Sequence, residues 1–151
     1  MLDLFLNSTE ATELLGTQFS AVLTPGCVLY LYGELGTGKT TLARGLLRGL
    51  GHLGIVKSPT FTLFETYQLR DWNLFHWDLY RLEDPEELEY LGLRDQLDGE
   101  AILLVEWPER GKGKLPAADV KVTLSYYGEH RSCQLEGCSL AGDGLIALLS
   151  S

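Results

Sequence analysis

Residues 33–40, Gly33-Glu-Leu-Gly-Thr-Gly-Lys39-Thr40, are the most informative segment for the fold, because they match the pattern G-x-x-x-x-G-K-[ST] at every fixed position. The apolar run Cys27–Tyr32 before it is typical of a buried strand, and Thr41–Leu50 after it has apolar residues at helical spacing. Glycine permits backbone angles that side chains forbid, so the loop N–H groups can surround phosphates at the positive end of the helix. This context favours a P-loop over a glycine-rich turn without a ligand.

The P-loop pattern also predicts individual contacts with a nucleotide. Lys39 is expected to reach the β and γ phosphates, and the hydroxyl of Thr40 to coordinate magnesium. The Asn-Lys-x-Asp segment with which many P-loop proteins read guanine does not occur, so the predicted ligands are ATP and Mg²⁺. The nucleotide-binding residues predicted in the loop are Glu34, Leu35, Gly36, Thr37, Gly38, Lys39, Thr40 and Thr41.

A P-loop site needs a second acid for magnesium, usually at the end of a neighbouring strand. Four apolar residues, Ile102–Val105, lead directly to Glu106, which makes it the candidate ligand. The alternative is an acid that simply ends a strand, and aspartate is the commoner residue at this position. Trp107 is either a core residue or an exposed functional aromatic, and periodicity does not decide between them.

Asp78 is a carboxylate in a mostly apolar and aromatic surrounding, Phe75–Arg81. It is either paired, for instance with Arg81, or held to act on a water molecule. Thr60, which follows Ser58-Pro59, resembles a switch threonine that senses γ-phosphate and magnesium, although Ser-Pro-Thr is also ordinary turn chemistry. His76 is interpreted as structural.

Composition limits the class of protein. The 151 residues are 45% hydrophobic and 22% charged, which predicts one domain, residues 1–151, with a sizeable core. Twelve basic residues against 21 acidic ones give a net charge of −9, which argues against direct binding of DNA or RNA. No membrane span or secretory signal is recognised, so a cytoplasmic location is expected. Three cysteines are interpreted as packing residues, without a zinc site.

The order of predicted elements indicates an α/β fold whose sheet is mixed, with helices on both faces. A polar cap at Asn7 predicts the first helix, and Asp84-Pro85 predicts another. The remaining predicted elements are an edge strand Leu2–Leu6, a hairpin of Phe61–Leu69 with Leu74–Leu79, a strand Ala101–Trp107, a loop from Pro108 to Ala118, late strands Val120–Tyr126 and Arg131–Glu136, and a closing helix Gly142–Ser151.

Four blocks together resemble the TsaE (YjeE) family of bacterial P-loop ATPases: Gly33–Arg44, Lys57–Thr62, His76–Leu82 with Pro85–Leu88, and Val105–Trp107 followed by Leu115-Pro116. The resemblance covers nearly the whole chain. It implies a P-loop NTPase-like three-layer sandwich around a central mixed sheet. It also implies an Mg-dependent ATPase that works with TsaB and TsaD to form the threonylcarbamoyl modification of adenosine next to the anticodon of tRNA. Contact with tRNA is then expected only through the complex.

The resemblance further implies roles for single residues. The family's magnesium ligands match Thr40 and Glu106, its essential aspartate matches Asp78, its switch-like threonine matches Thr60, and its signature tryptophan matches Trp107. Nucleotide contacts outside the P-loop are expected at Ser8 and Arg131, in regions that match the family less well.

Two other functions use the same motif. A small-molecule P-loop kinase needs cationic lid residues, and no paired-Arg lid follows Glu106. A nucleotide-gated interaction protein, whose slow hydrolysis only resets a binding state, would use the same residues as the ATPase.

Overall fold

The computed structural model describes residues 1–151 around one seven-stranded sheet. The helices and strands are β1 (Leu2–Leu6), α1 (Thr9–Val22), β2 (Val28–Tyr32), α2 (Lys39–Gly49), β3 (Phe64–Gln68), β4 (Asn73–Asp78), α3 (Glu87–Tyr90), β5 (Ile102–Glu106), β6 (Val120–Tyr127), β7 (His130–Gly137) and α4 (Leu140–Leu149). The strands run in the order β1-β7-β6-β2-β5-β4-β3, with parallel pairing between β2 and both β5 and β6 and between β4 and β5. The remaining pairs are antiparallel, so the predicted mixed sheet is confirmed.

The register of the parallel strands brings the ends of three strands together. Asp78, the last residue of β4, lies opposite Glu106, the last residue of β5. Glu106 also lies opposite Leu31 near the end of β2, from which the P-loop departs. Carboxyl ends of neighbouring parallel strands share one edge of a sheet, which is where α/β proteins bind ligands. The fold therefore gathers the predicted acids beside the P-loop.

The two faces of the sheet are covered unequally. The larger cluster of 22 buried residues includes residues of α1, α2 and α4, whereas the smaller cluster of eight includes Leu88 of α3. Successive side chains of a strand point to opposite faces, so β4 contributes Leu74 to the large cluster and Trp77 to the small one. His76 and Asp78 share the face of Leu74, which is the face that α2 covers.

Helix α1 lies close against α2, and this places its first turn beside the P-loop. A Cβ at Gly45 would come within 2.0 Å of the Glu13 carbonyl oxygen, so only glycine permits this approach. The N-cap of α1 is Ser8, not the predicted Asn7. Ser8 is extended, and its Oγ accepts the N–H of Ala11 at 3.0 Å, whereas Asn7 precedes the cap.

Asp84-Pro85 forms a turn and not the start of a long helix. The side chain of Asp84 accepts the N–H of Glu86 at 3.0 Å, and the four-residue α3 follows. Gly92, at φ 83°, ends the segment because a left-handed residue cannot continue a helix. The predicted loop after Trp107 begins with a short 3-10 turn, Pro108–Gly111, and the closing helix begins earlier than predicted, after its cap Ser139. Every helix is too short or too polar to cross a membrane.

Candidate functional site

The P-loop joins β2 to α2 and leaves the start of the helix open. Gly38 is the N-cap of α2 in the left-handed region, at φ 108°, and no side chain caps the helix. The first N–H groups of α2 are therefore available to an anion, which the positive end of the helix also attracts. The buried Thr37 donates its hydroxyl to the Glu34 carbonyl at 2.8 Å and braces the loop.

Lys39 is enclosed at the mouth of the loop, with 6% of its surface exposed. Its ammonium donates to the carbonyls of Gly33 and Glu34, the latter at 3.0 Å. The ring of Trp107 lies 4.6 Å from Nζ. Burial lowers the pKa of Lys39 from 10.5, and the nearby carboxylates of Glu106 and Asp78 oppose this shift. The ammonium is partly desolvated, so phosphate oxygens would be favourable partners for it.

Glu106 is buried at the end of β5, with 2% of its surface exposed. Its Oε2 lies 2.6 Å from Nε2 of His76, which is fully buried on the adjacent strand. The sequence identified Glu106 from the apolar run before it. The sequence indicates only a structural role for His76, because no sequence signal connects two residues that lie 30 positions apart.

Asp78 accepts hydrogen bonds from the segment that contains Thr60. Thr60 donates to Asp78 Oδ2 at 2.8 Å. The Ser58 hydroxyl lies within hydrogen-bond distance of both groups, 2.7 Å from the Thr60 hydroxyl and 3.3 Å from Asp78 Oδ2. The backbone N–H of Tyr80 donates to Oδ1 at 3.0 Å. Of the two alternatives for Asp78, the pairing with Arg81 is not formed: the guanidinium of Arg81 lies 4.3 Å from the exposed ring of Phe61 instead.

Trp107 is part of the site. The periodicity of the sequence does not decide between this role and a place in the core. The backbone of Trp107 is left-handed, at φ 56°, an unusual conformation for a residue with a side chain. This turns the ring toward Lys39 and places it 5.1 Å from the ring of Tyr80. Tyr80 was not predicted as a site residue, because nothing in the chain order indicates that it would face Trp107.

One cavity of about 220 Å³ unites these groups, and we call it the P-loop cavity. Its wall holds two carboxylates, Asp78 and Glu106, against the single ammonium of Lys39. With the hydroxyl of Thr40, these carboxylates form a set of oxygen donors, the chemistry that Mg²⁺ prefers. The residues present therefore fit magnesium. The predicted residues that line the cavity are Leu35, Gly36, Gly38, Lys39, Thr40, Thr41, Thr60, Asp78 and Glu106.

Ser8 and Arg131 lie outside the P-loop cavity. They line a neighbouring cavity of about 250 Å³ between α1 and the β6–β7 hairpin, together with Thr37 and Thr41 of the P-loop and its helix. Arg131 donates to the carbonyl of Gly36 at 3.2 Å, while Ser8 caps α1. Tyr126, which the sequence did not single out, donates its hydroxyl to the Leu35 carbonyl. Glu34 lines neither cavity.

Comparison with known proteins agrees with this geometry. The model of the family "Threonylcarbamoyl adenosine biosynthesis protein TsaE" matches residues 6–133. The tRNA threonylcarbamoyladenosine biosynthesis protein TsaE of Haemophilus influenzae is 48% identical over 82% of this chain and 78% of its own length. The TsaE protein of Bacillus subtilis is 39% identical over 80% of this chain and 75% of its own length.

A solved structure supports the same conclusion for the fold. The crystal structure of Bacillus subtilis YdiB superposes with a TM-score of 0.85 at 30% identity and covers 99% of this chain and 93% of its own. The P-loop fold inferred from Gly33–Thr40 is therefore confirmed over the whole chain. The family match covers the P-loop and both strand ends that carry the acids, and the chain belongs to the TsaE family.

Proposed function

We propose that this chain is an Mg-dependent ATPase that acts with TsaB and TsaD to form the threonylcarbamoyl modification of adenosine next to the anticodon of tRNA. Membership of the TsaE family and the names of its relatives support the pathway. The observation that carries the enzymatic part is the P-loop cavity, which Lys39 and Thr40 line together with Asp78 and Glu106.

The residues of the cavity divide the work of hydrolysis. Lys39 and the N–H groups at the start of α2 bind the phosphates of ATP, and Thr40 and Glu106 are the residues that would hold magnesium. A bound Mg²⁺ neutralises charge on the β and γ phosphates. Asp78 retains lone pairs beyond its bonds to Thr60 and Tyr80 and orients the attacking water. The water oxygen bonds to the γ phosphorus as the bond between that phosphorus and the ADP oxygen breaks, and the two water protons leave with the inorganic phosphate.

Thr60 connects the loop before β3 to this chemistry. Its hydroxyl donates to Asp78, and the backbone N–H of Asp78 donates to the Leu63 carbonyl at 2.8 Å. Any movement of the Thr60 segment therefore disturbs the carboxylate that orients water. This linkage supports the role of Thr60 as a switch that senses the γ-phosphate.

The isolated protein should hydrolyse ATP slowly. Fast P-loop enzymes place a second positive group against the developing charge, worth about 10³–10⁵ in rate. Lys39 is the single basic residue that lines the P-loop cavity. Arg44 pairs with Glu13 at 3.2 Å, and Arg81 lies over Phe61. A partner protein could supply the missing cation or order the Thr60 segment.

The charge of the chain supports indirect contact with tRNA. A net charge of −9 repels a polyanion, so the partners TsaB and TsaD would bring this protein to the RNA. The cytoplasmic location expected from the sequence is part of this proposal.

The decisive experiment is steady-state ATP turnover by the protein alone, with tRNA alone, and with TsaB and TsaD. We expect slow turnover alone, no effect of tRNA, and stimulation by the two proteins. Full-speed turnover alone, unchanged by TsaB and TsaD, would overturn the proposal, and stimulation by tRNA alone would contradict the charge argument.

Two further measurements, the fate of labelled phosphate and tRNA modification by a variant, separate the alternatives. A small-molecule kinase would transfer labelled phosphate to a metabolite, whereas an ATPase releases it as free phosphate. For a nucleotide-gated interaction protein, a variant unable to hydrolyse ATP would still support tRNA modification. The absence of a cationic lid in the P-loop cavity favours hydrolysis over transfer.

A further inference from the structure

His76 is a polar side chain inside the core of the sheet. It is fully buried in β4, it shares a face with Leu74 and Asp78, and it lies opposite Leu104 of β5. Its Nε2 contacts Glu106 Oε2 at 2.6 Å. Its other ring nitrogen, Nδ1, is buried and has no hydrogen-bond partner.

The stability of the fold does not explain a histidine here. A neutral imidazole that donates from Nε2 leaves Nδ1 as an acceptor, and a buried acceptor without a partner costs folding free energy. Leu74 and Leu104, its neighbours along and across the strands, show that apolar side chains fit this face of the sheet. The position retains a polar group at a cost in stability, which indicates a functional role.

The contact with His76 fixes one oxygen of Glu106. The carboxylate lines the P-loop cavity, and Oε2 is its hydrogen-bonded atom, while Oε1 accepts no hydrogen bond from the protein. A glutamate has three side-chain torsions, and a bond to a rigid, buried ring removes much of that freedom. Partners behind a metal ligand orient it in this way in metal sites.

We infer that His76 is a positioning residue that holds the Glu106 carboxylate so that Oε1 is presented to Mg²⁺. The inference rests on the function proposed above and adds to it a residue behind the metal ligand. His76 acts through Glu106 and touches neither the nucleotide nor the cation.

Two substitutions isolate the contact. His76→Leu removes the hydrogen bond and fills the space with a side chain like those of Leu74 and Leu104. His76→Gln keeps an N–H donor the same number of bonds from Cα as Nε2 of histidine. His52→Leu is the matched control, because His52 packs on Tyr67 at 4.8 Å, away from the P-loop cavity.

The experiment measures binding of a fluorescent ATP analogue as a function of Mg²⁺ concentration, and binding again in EDTA. His76→Leu should raise the Mg²⁺ concentration that gives half of the maximal increase in nucleotide binding by about 10- to 100-fold. It should change the affinity for the ATP analogue in EDTA by less than about twofold. His76→Gln should recover most of the loss, and His52→Leu should match the native protein. Thermal unfolding in EDTA without nucleotide should show His76→Leu at least as stable as the native protein.

Several results would overturn the inference. These are an unchanged Mg²⁺ requirement in His76→Leu, an equal loss of affinity in EDTA, no recovery in His76→Gln, or a His76→Leu chain that does not fold. Native protein without Mg²⁺-dependent binding would instead overturn the proposed function, and this inference with it. If the native protein binds nucleotide in an Mg²⁺-dependent way and His76→Leu has the same Mg²⁺ dependence, the positioning role alone is overturned.

Discussion

Along one wall of the P-loop cavity, which we call the P-loop wall, the groups expected to bind phosphate come from eight consecutive residues, Gly33–Thr40. Along another wall, which we call the carboxylate wall, the side-chain oxygens come from three separate segments, at Thr60, Asp78 and Glu106. The first wall is held by its own backbone and by Thr37. The second wall depends on the register of β4 with β5 and on bonds between side chains.

This difference separates binding from chemistry. The P-loop wall presents N–H groups and an ammonium, which attract phosphate in any bound state. The carboxylate wall presents groups suited to magnesium and to a water molecule, which matter most in the transition state. Substitutions in the P-loop wall should therefore change nucleotide affinity, and substitutions in the carboxylate wall should change the Mg²⁺ requirement or the turnover of ATP.

The largest effect is expected at Asp78. Asp78→Ala removes the group that we propose orients water, and turnover should fall by about 10²–10⁴, the range for a positioned acid or base. Nucleotide affinity should stay within about threefold, because this contact acts in the transition state. Single-turnover hydrolysis and nucleotide titration measure the two effects, with Asp71→Ala on the β3–β4 turn as control. Equal losses in nucleotide affinity and turnover would show that nucleotide binding and hydrolysis are not separated between the two walls.

Lys39→Ala should act on binding. Removal of a charged hydrogen-bond donor, worth about 1.5–3 kcal/mol, should weaken ATP affinity by about 10- to 100-fold. The fold should survive, since the ammonium is partly desolvated and its loss relieves that cost. Isothermal titration and thermal unfolding test both statements. Thr40→Ala should weaken binding only when Mg²⁺ is present. Hydrolysis at the native rate by Lys39→Ala would refute the assignment of the P-loop.

Glu106→Gln tests whether Glu106, unlike Asp78, acts on magnesium binding. It keeps the size of the side chain and removes its charge, so the Mg²⁺ requirement should rise by at least about tenfold. Affinity in EDTA should match that of the native protein. Titration of Mg²⁺ against a fixed concentration of nucleotide measures the change. A normal Mg²⁺ requirement would remove Glu106 from the metal site.

The smallest effect concerns pH. In the protein without nucleotide, burial lowers the pKa of Lys39 below the ordinary lysine value of 10.5. Phosphate oxygens favour the charged form of the side chain. ATP affinity should therefore be full below the lowered pKa and should fall as the pH rises through it, before ordinary lysines titrate. Dissociation constants from about pH 7 to 10 test this. Lys39→Arg, which stays charged, should flatten the profile, and an equal decline in that variant would assign the effect to another group.

Local chemistry explains which elements the sequence predicted well. The P-loop, the hairpin of β3 and β4, and strand β5 follow from turn residues and apolar runs that lie within a few positions of one another. The helix after Asp84-Pro85 was overestimated, because capping residues start a turn but Gly92 and the single buried Leu88 limit its length.

The P-loop wall is predictable from the sequence alone, since a P-loop carries its glycines, lysine and threonine in one continuous motif. The sequence also identifies Asp78, Glu106 and Thr60 as candidates. What those residues touch depends on the fold: Asp78 bonds to Thr60 and not to Arg81, and His76 bonds to Glu106. Strand register and helix packing join residues distant in the chain, and no local pattern encodes those distances.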